Sequence, residues 1–233
     1  MVYDSVFVSD VHLGTDRCNV KKFKNLIKNL KTKKLVFVGD IIDIECMEKY
    51  GTRWNRSHTE CIHEILKLAN QGTEIVYILG NHDAALRRYC TFEHKNFMMC
   101  DEYVYKTKLG EKYLCIHGDK YSQFSSGSWK QLCFNWGYEL ITPLSVWLNR
   151  YFKFSLVNFL KNTVNGKKYI EQYESDISSY ALKSGNYSGV ICGHIHHANM
   201  RDFDGIKYMC CGDFVDTCSA IYEKDGKFSM HKF

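Results

Sequence analysis

Side chains that could bind metal ions follow several predicted strands of this 233-residue chain. The plainest example is Gly80-Asn81-His82-Asp83, which comes directly after the apolar run 74–79. Runs rich in β-branched and aromatic residues are typical of buried strands, and open α/β sheets bind ligands where such strands end. An asparagine can offer its carbonyl oxygen to a metal ion, and a histidine can donate a proton to an anionic oxygen. Taken alone, the tetrapeptide is equally typical of an ordinary polar turn.

Four other predicted strand ends carry the same kinds of side chain. The whole set of candidate metal ligands contains seven residues: Asp10, His12, Asp40, Asn81, His117, His194 and His196. Side chains two residues apart on an extended backbone point the same way, so Asp10 and His12 can reach one site, as can His194 and His196. A single histidine is more often structural, but so many polar groups buried at one sheet edge are costly without strong partners.

Seven ligands exceed what one ion needs, whereas two ions that share a bridging carboxylate would use all of them. Mixed oxygen and imidazole ligands favour Mn²⁺, Fe or Zn²⁺ over Mg²⁺ or Ca²⁺. Two such ions about 3.5–4 Å apart form the clamp with which many enzymes hydrolyse phosphate esters. The ligand set therefore predicts a dinuclear hydrolytic centre without choosing the substrate.

The elements that must position these ligands alternate along the first part of the chain. Apolar runs predict strands at 2–9, 34–38 and 74–79, and apolar residues at helical spacing predict helices at 19–31 and 59–70. This alternation is typical of a largely parallel sheet covered by helices. Later elements are predicted as a helix over 168–183 and as strands over 103–105, 112–116, 187–192, 206–211, 217–222 and 227–232.

An aromatic segment, residues 120–165, separates the ligand at His117 from the pair that begins at His194. Its spacing is helical, and Gly137 and Pro143 would divide it into short helices. Such a segment could form an apolar wall over a substrate or a helical subdomain that packs on itself. We predict one domain over 1–233, with this segment as a helical lid insertion.

The composition indicates a globular protein and argues against membrane-spanning and disulfide-rich classes. A chain that is 45% hydrophobic and 24% charged is globular in composition. It shows neither a long apolar run nor a secretory signal, so we expect a cytoplasmic protein. The eleven cysteines are scattered and several lie in apolar runs, which favours reduced core thiols over disulfides or a metal site. The net charge of +5 favours anionic substrates without implying nucleic acid.

In chain order the clusters read Asp-x-His, Gly-Asp-x-x-Asp, Gly-Asn-His-Asp, His-Gly-Asp and Gly-His-x-His, from Asp10 to His196. In this order they resemble the signature of the calcineurin-like metallophosphoesterases. The resemblance implies an α/β fold, in which a two-sheet β-sandwich flanked by helices carries a dinuclear metal site at its top.

The resemblance also implies how the two ions, most often Mn²⁺ with Fe or Zn²⁺ as alternatives, would be held. One ion would be bound by Asp10, His12, Asp40 and His196. The other ion would be bound by Asp40, Asn81, His117 and His194, so that Asp40 bridges.

The same resemblance assigns chemistry to the neighbouring residues. Water activated between the ions would attack phosphorus, and His82 would stabilise or protonate the departing oxygen while Asp83 orients its ring. Contacts to the substrate would come from Asn81, His82 and His194. Asp43, three residues beyond the bridging Asp40, would be a supporting acid.

The aromatic insert and the tail 211–218 resemble one branch of the bacterial UDP-2,3-diacylglucosamine pyrophosphatases, although proven enzymes of that group have arginine where this chain has His82. This resemblance implies cleavage of a phosphoester or pyrophosphate on a partly apolar substrate, with peripheral contact at the inner membrane face. The alternative is a phosphodiesterase or phosphatase of a soluble nucleotide or small phosphate ester.

Two other classes are less favoured. A scaffold like the retromer subunit of this fold would lack the histidine of Gly-Asn-His, which is present here as His82. A nuclease would need a basic docking surface, and none is visible. The sequence leaves open the oligomeric state and the roles of Arg87, Lys161, Asn162 and Lys167.

Overall fold

The structure is a computed structural model that describes residues 2–90, 92–121 and 162–233. The chain divides into two compact units, one formed by 1–119 with 178–233 and the other by 120–177. All seven candidate ligands lie in the first unit. The predicted lid over 120–165 falls almost entirely outside the described residues, so the domain prediction stays a prediction.

The described helices are α1 (Val20–Asn29), α2 (Ile44–Tyr50), α3 (Arg56–Asn70) and α4 (Val164–Ser184), with 3₁₀ turns at Ala84–Tyr89 and Asp119–Tyr121. The first strands are β1 (Tyr3–Val8), β2 (Thr32–Val38), β3 (Glu74–Ile78), β4 (Glu93–His94), β5 (Phe97–Cys100) and β6 (Glu102–Lys106). The later strands are β7 (Lys112–Ile116), β8 (Gly189–Cys192), β9 (Asn199–Phe203), β10 (Ile206–Cys210), β11 (Ser219–Lys224) and β12 (Lys227–Lys232).

These strands form two mixed sheets. The first has the order β12-β11-β1-β2-β3-β5-β4, in which β1, β2, β3 and β5 run parallel and the outer strands run antiparallel to their neighbours. The second has the order β6-β7-β8-β10-β9, with β7, β8 and β10 parallel. The α/β sandwich of two sheets flanked by helices is confirmed.

The core follows from the alternation of side chains along each strand. On β1, Phe7 faces the layer between the two sheets, whereas Val6 and Val8 face the layer under the helices. Helix α1 covers that second layer with Phe23 and with other residues of its buried face. Each layer keeps apolar area from water, which is worth about 25 cal/mol per Å².

Several elements were not predicted, and each lacks a strong apolar period. Helix α2 buries none of its residues. Strand β5 is half-buried along its length, and β9 has two exposed positions among five. The predicted hairpins at 109–111 and at Asp225-Gly226 are confirmed by the antiparallel pairs β6–β7 and β11–β12. In the described ranges the cysteines are all free thiols, and no helix there is long and apolar enough to cross a membrane.

One buried hydrogen bond links the two sheets, and we expect it to be measurable in stability. The hydroxyl of Tyr105 on β6 donates to Glu223 on β11 over 2.6 Å, and the Glu223 side chain is fully buried. Tyr105→Phe would leave a carboxylate oxygen without this donor, so the free energy of unfolding should fall by about 1–3 kcal/mol in urea denaturation. Tyr103→Phe on the same strand is the control, because its partner Lys34 can still reach water. Equal effects of the two substitutions would contradict this account.

Candidate active site

The loops that follow β1, β2, β3, β7 and β8 meet at one edge of the two sheets. Backbone hydrogen bonds join them: Asp10 N–H donates to Gly39 O over 3.0 Å, and Gly193 N–H donates to His117 O over 3.1 Å. Side-chain acceptors add further links, since Asp10 Oδ2 accepts from the N–H of His194 over 3.0 Å. The structure therefore brings all seven predicted ligands together, although they come from positions far apart in the sequence.

One cluster of donor atoms lies around Asp10. Donor atoms of Asp10, His12 and His196 all lie within 4.8 Å of one another. His196 Nε2 is 3.3 Å from Asp10 Oδ1, and the rings of His12 and His196 stack with centroids 5.2 Å apart. These are three of the four residues expected at the first metal ion, and the fourth is Asp40.

A second cluster shares Asp10 and adds Asp40 and His117, again with donor atoms within 4.8 Å. His117 Nε2 is 3.1 Å from Asp40 Oδ2, while its Nδ1–H donates to Val38 O over 2.9 Å. Because a carbonyl oxygen can only accept, Nδ1 carries a proton, and Nε2 is the ring nitrogen that faces Asp40 and could bind a metal ion.

The remaining predicted ligands, Asn81 and His194, stand side by side, with Asn81 Oδ1 3.2 Å from His194 Nδ1. The His194 ring meets the His117 ring edge to face at a centroid distance of 5.2 Å. The second predicted ligand set is therefore contiguous in space.

Two observations test whether these residues fit metal ions. Ligands about 2.1 Å from one ion lie about 3–3.5 Å from each other, which is the spacing of the three donor pairs His196–Asp10, His117–Asp40 and His194–Asn81. In the described part of the chain, Asp10 Oδ1, His12 Nε2 and His117 Nε2 are also buried without a hydrogen-bond partner. Unpaired buried polar atoms are costly, so this donor set fits a bound cation.

The electrostatics of the cluster lead to the same conclusion. Burial raises the pKa of Asp10 to about 6, and the nearby charge of Asp40 acts in the same direction. Burial also lowers the pKa of His194 to about 4, helped by the positive charge of His117. Positive ions would stabilise carboxylates that are buried close together, and a neutral imidazole is the form that binds a metal ion.

The backbone of the site is unusual in a way that the sequence did not predict. Five of the seven predicted ligands have positive φ angles: Asp10 (51°), His12 (55°), Asp40 (56°), His194 (71°) and His196 (50°). Residues with a Cβ atom rarely adopt this region, and such conformations concentrate at functional sites.

The absence of a side chain at Gly80 makes room for the predicted ligands Asp40 and His117. A Cβ atom there would lie 2.2 Å from Asp40 Oδ1 and 2.8 Å from His117 Cδ2. The φ angle of Gly80 is not positive, so the turn itself does not require a glycine. Its role is the close approach of the backbone to two predicted ligands.

His82, the predicted proton donor, lies beside the cluster and is partly exposed. Its Nδ1–H donates to Asp43 Oδ1 over 2.8 Å, and the other oxygen of Asp43 accepts from His12 Nδ1, also over 2.8 Å. Burial would lower the pKa of His82, but Asp43 and Asp40 raise it to about 9. The hydrogen bond to Asp43 contributes most to raising this pKa.

The sequence predicted that the Asp83 carboxylate would orient the His82 ring, but the carboxylate has other partners. Its carboxylate accepts from the N–H of Gly80 over 2.5 Å, from the N–H of Ile41 over 3.1 Å and from the hydroxyl of Tyr77 over 2.9 Å. Asp83 thus ties the loop after β2 to the end of β3. The carboxylate that is hydrogen-bonded to the His82 ring is that of Asp43.

Among the residues whose roles were open, Arg87 lies between two acids, 3.2 Å from Asp101 and 3.1 Å from Asp119. Lys161 lies outside the described residues, and Asn162 and Lys167 belong to the second unit. A residue that the sequence analysis did not single out, Asp213, has its Oδ2 atom 3.8 Å from His196 Nδ1. Asp213 follows β10, just as the predicted ligands follow other strands, and this position could have identified it from the sequence.

Solved structures share this fold. They include a dimetal phosphatase from Danio rerio (12% identity, TM-score 0.51, 99% of this chain and 96% of that chain). An archaeal phosphodiesterase matches at 13% identity and TM-score 0.49 over 98% of this chain and 99% of that one. Vacuolar protein sorting 29 from Cryptosporidium parvum matches at 13% identity and TM-score 0.47 over 100% and 99%. At 12% identity the likeness to the dimetal phosphatase concerns the fold alone.

Curated protein sequences contain no match to this chain. The family profile described as calcineurin-like phosphoesterase matches residues 5–198, a range that includes all seven predicted ligands and His82. The chain therefore belongs to the calcineurin-like phosphoesterase family, and its cluster of His and Asp residues is that of a metal-dependent hydrolase.

Proposed function

We propose that this chain hydrolyses a soluble phosphodiester or small phosphate ester with the help of two divalent metal ions. The observation that carries the proposal is the set of buried, unpartnered donor atoms on Asp10, His12 and His117, whose neighbours stand at the spacing of metal ligands. The two ligand sets would be Asp10, His12, Asp40 and His196, and Asp40, Asn81, His117 and His194. When bound, the ions supply Lewis-acid polarisation of the phosphate and activation of water.

His82 would donate the proton to the departing oxygen. Its Nδ1 is engaged by Asp43, which leaves Nε2 as the nitrogen that can face a substrate. The side chain is 26% exposed, so a leaving group can reach it. Asp43 would act as a positioning residue, because it holds the rings of His82 and His12 with its two oxygens. Asn81 and His194, at the same edge, would contact the phosphate.

Two alternatives have less support. Cleavage of a lipid pyrophosphate such as UDP-2,3-diacylglucosamine, with contact to a membrane, depends on an apolar lid over 120–165, which lies almost entirely outside the described residues. A scaffold without catalysis would not need the partly exposed His82 next to clustered His and Asp donor atoms.

Removal of metal should abolish hydrolysis. Without ions there is no strong nucleophile at neutral pH, so chelation followed by gel filtration should eliminate turnover of bis(p-nitrophenyl) phosphate, and Mn²⁺ should restore it. Elemental analysis of the restored protein should find about two ions per chain, and the melting temperature should rise on metal addition. Full activity with one ion per chain would contradict the dinuclear proposal.

His82→Ala should impair turnover more than metal binding. We expect kcat to fall by about 10²–10⁴-fold on a phosphodiester with an alkyl leaving group, because general-acid help is lost, while metal content stays unchanged. An activated nitrophenyl ester should be affected less, since its leaving group needs no proton. His63→Ala on the exposed side of α3 is the matched control. A near-native kcat on the alkyl ester would refute the role of His82.

The substrate class can be tested with a panel. We expect higher kcat/KM for soluble nucleotide phosphodiesters than for UDP-2,3-diacylglucosamine, with UDP-N-acetylglucosamine as the control that shares its head group. A clear preference for the acylated compound over this control would instead support an apolar lid and the lipid alternative.

A further inference from the structure

A second acid, Glu45, stands next to His82 on the side that faces solvent. It is the second residue of α2, and its N–H donates to His82 O over 3.0 Å. Its Oε2 atom lies 3.7 Å from His82 Nδ1. The Glu45 side chain is 54% exposed, compared with 26% for His82. The Glu45 carboxylate therefore adjoins the imidazole and is also accessible to a molecule that approaches His82 from solvent.

The two acids that adjoin His82 differ in what their charge can act on. Asp43 is fully buried, and each of its oxygens is hydrogen-bonded to an imidazole. Glu45 lies 3.7 Å from His82 Nδ1, so it and a leaving group that accepts a proton from Nε2 would stand on opposite sides of one imidazole ring. Its negative charge would act on that group at short range, where screening by salt is incomplete.

The arginine nearest to His82 in the sequence does not cancel this effect. Arg87, on the 3₁₀ turn that follows, is paired with Asp101 and Asp119. The metal ions would attract the phosphate itself, whereas Glu45 lies on the far side of His82 Nδ1. The phosphate would thus lie in a positive potential and the leaving group in the negative potential of Glu45.

We propose that Glu45 is a specificity-determining residue that selects phosphodiesters with a neutral or cationic leaving group over substrates with an anionic one. The inference rests on the proposed function. In the reaction, the bond from water oxygen to phosphorus forms, the bond from phosphorus to the leaving oxygen breaks, and His82 gives that oxygen its proton. The attacking water releases a proton to solvent, from which His82 is reprotonated. An alcohol leaves uncharged, whereas cleavage of a pyrophosphate releases a phosphate anion beside Glu45.

The test uses three aryl methyl phosphodiesters that differ only in the para substituent of the leaving phenol: trimethylammoniomethyl, neopentyl or carboxymethyl. We expect kcat/KM of the native protein for the anionic ester to be about three- to tenfold below that for the neutral one at low salt. The cationic ester should equal or exceed the neutral one. Glu45→Gln should reduce the difference between anionic and neutral esters to less than about twofold, and high salt should have the same effect on the native protein.

Glu48→Gln on the same helix is the matched control, since it removes the same charge three residues further along the chain. The measured quantity is a ratio of efficiencies, so partial loss of folded protein does not alter it. Hydrolysis of all three esters with equal efficiency, or an unchanged ratio in Glu45→Gln, would overturn the role of Glu45 and leave the proposed function intact. No metal-dependent hydrolysis of any ester would reject the proposed function together with this inference.

Discussion

The constraint on which the rest of the site depends is the burial of several charged and polar side chains at one point. Asp10 and Asp40 are almost completely shielded from water, beside the equally buried imidazoles of His12 and His117. Carboxylates in such a place repel one another and lose hydration, which costs free energy that hydrogen bonds recover only in part. Bound cations would offset that cost. The left-handed backbone of five predicted ligands and the missing side chain of Gly80 serve the same convergence.

The two-sheet architecture explains how one point can collect ligands from the whole chain. Strands β1, β2 and β3 of the first sheet and β7 and β8 of the second deliver their carboxyl ends to a common edge. The sheets are held together by an apolar layer that includes Phe7 and Ile191, and by the hydrogen bond between Tyr105 and Glu223. Since each sheet contributes part of the donor set, the packing between the sheets sets the distances between donor atoms.

Around His82 the acids are arranged by depth. Asp43 lies at the bottom and links the proposed proton donor to the proposed ligand His12, whereas Glu45 lies at the surface. The buried acid fixes the orientation of the rings, because both of its oxygens accept from them. The exposed acid can act on approaching molecules. In this proposal, Asp43 orients the imidazole rings and Glu45, two residues later, selects the substrate.

The sequence alone was sufficient to predict the family, the strand ends and the candidate ligand set, because ligand-type residues after apolar runs form a local pattern that needs no knowledge of distant contacts. It also predicted α1, α3 and the two later hairpins, whose apolar periods and turn residues are strong. Tertiary structure decided which strand belongs to which sheet and how weakly patterned strands such as β5 and β9 pair, since half-buried strands gain their partners from other parts of the chain. It also decided which acid meets His82. Asp83 is adjacent in sequence, but its side chain turns inward to Tyr77, and only the path of the chain after β2 brings Asp43 to the imidazole.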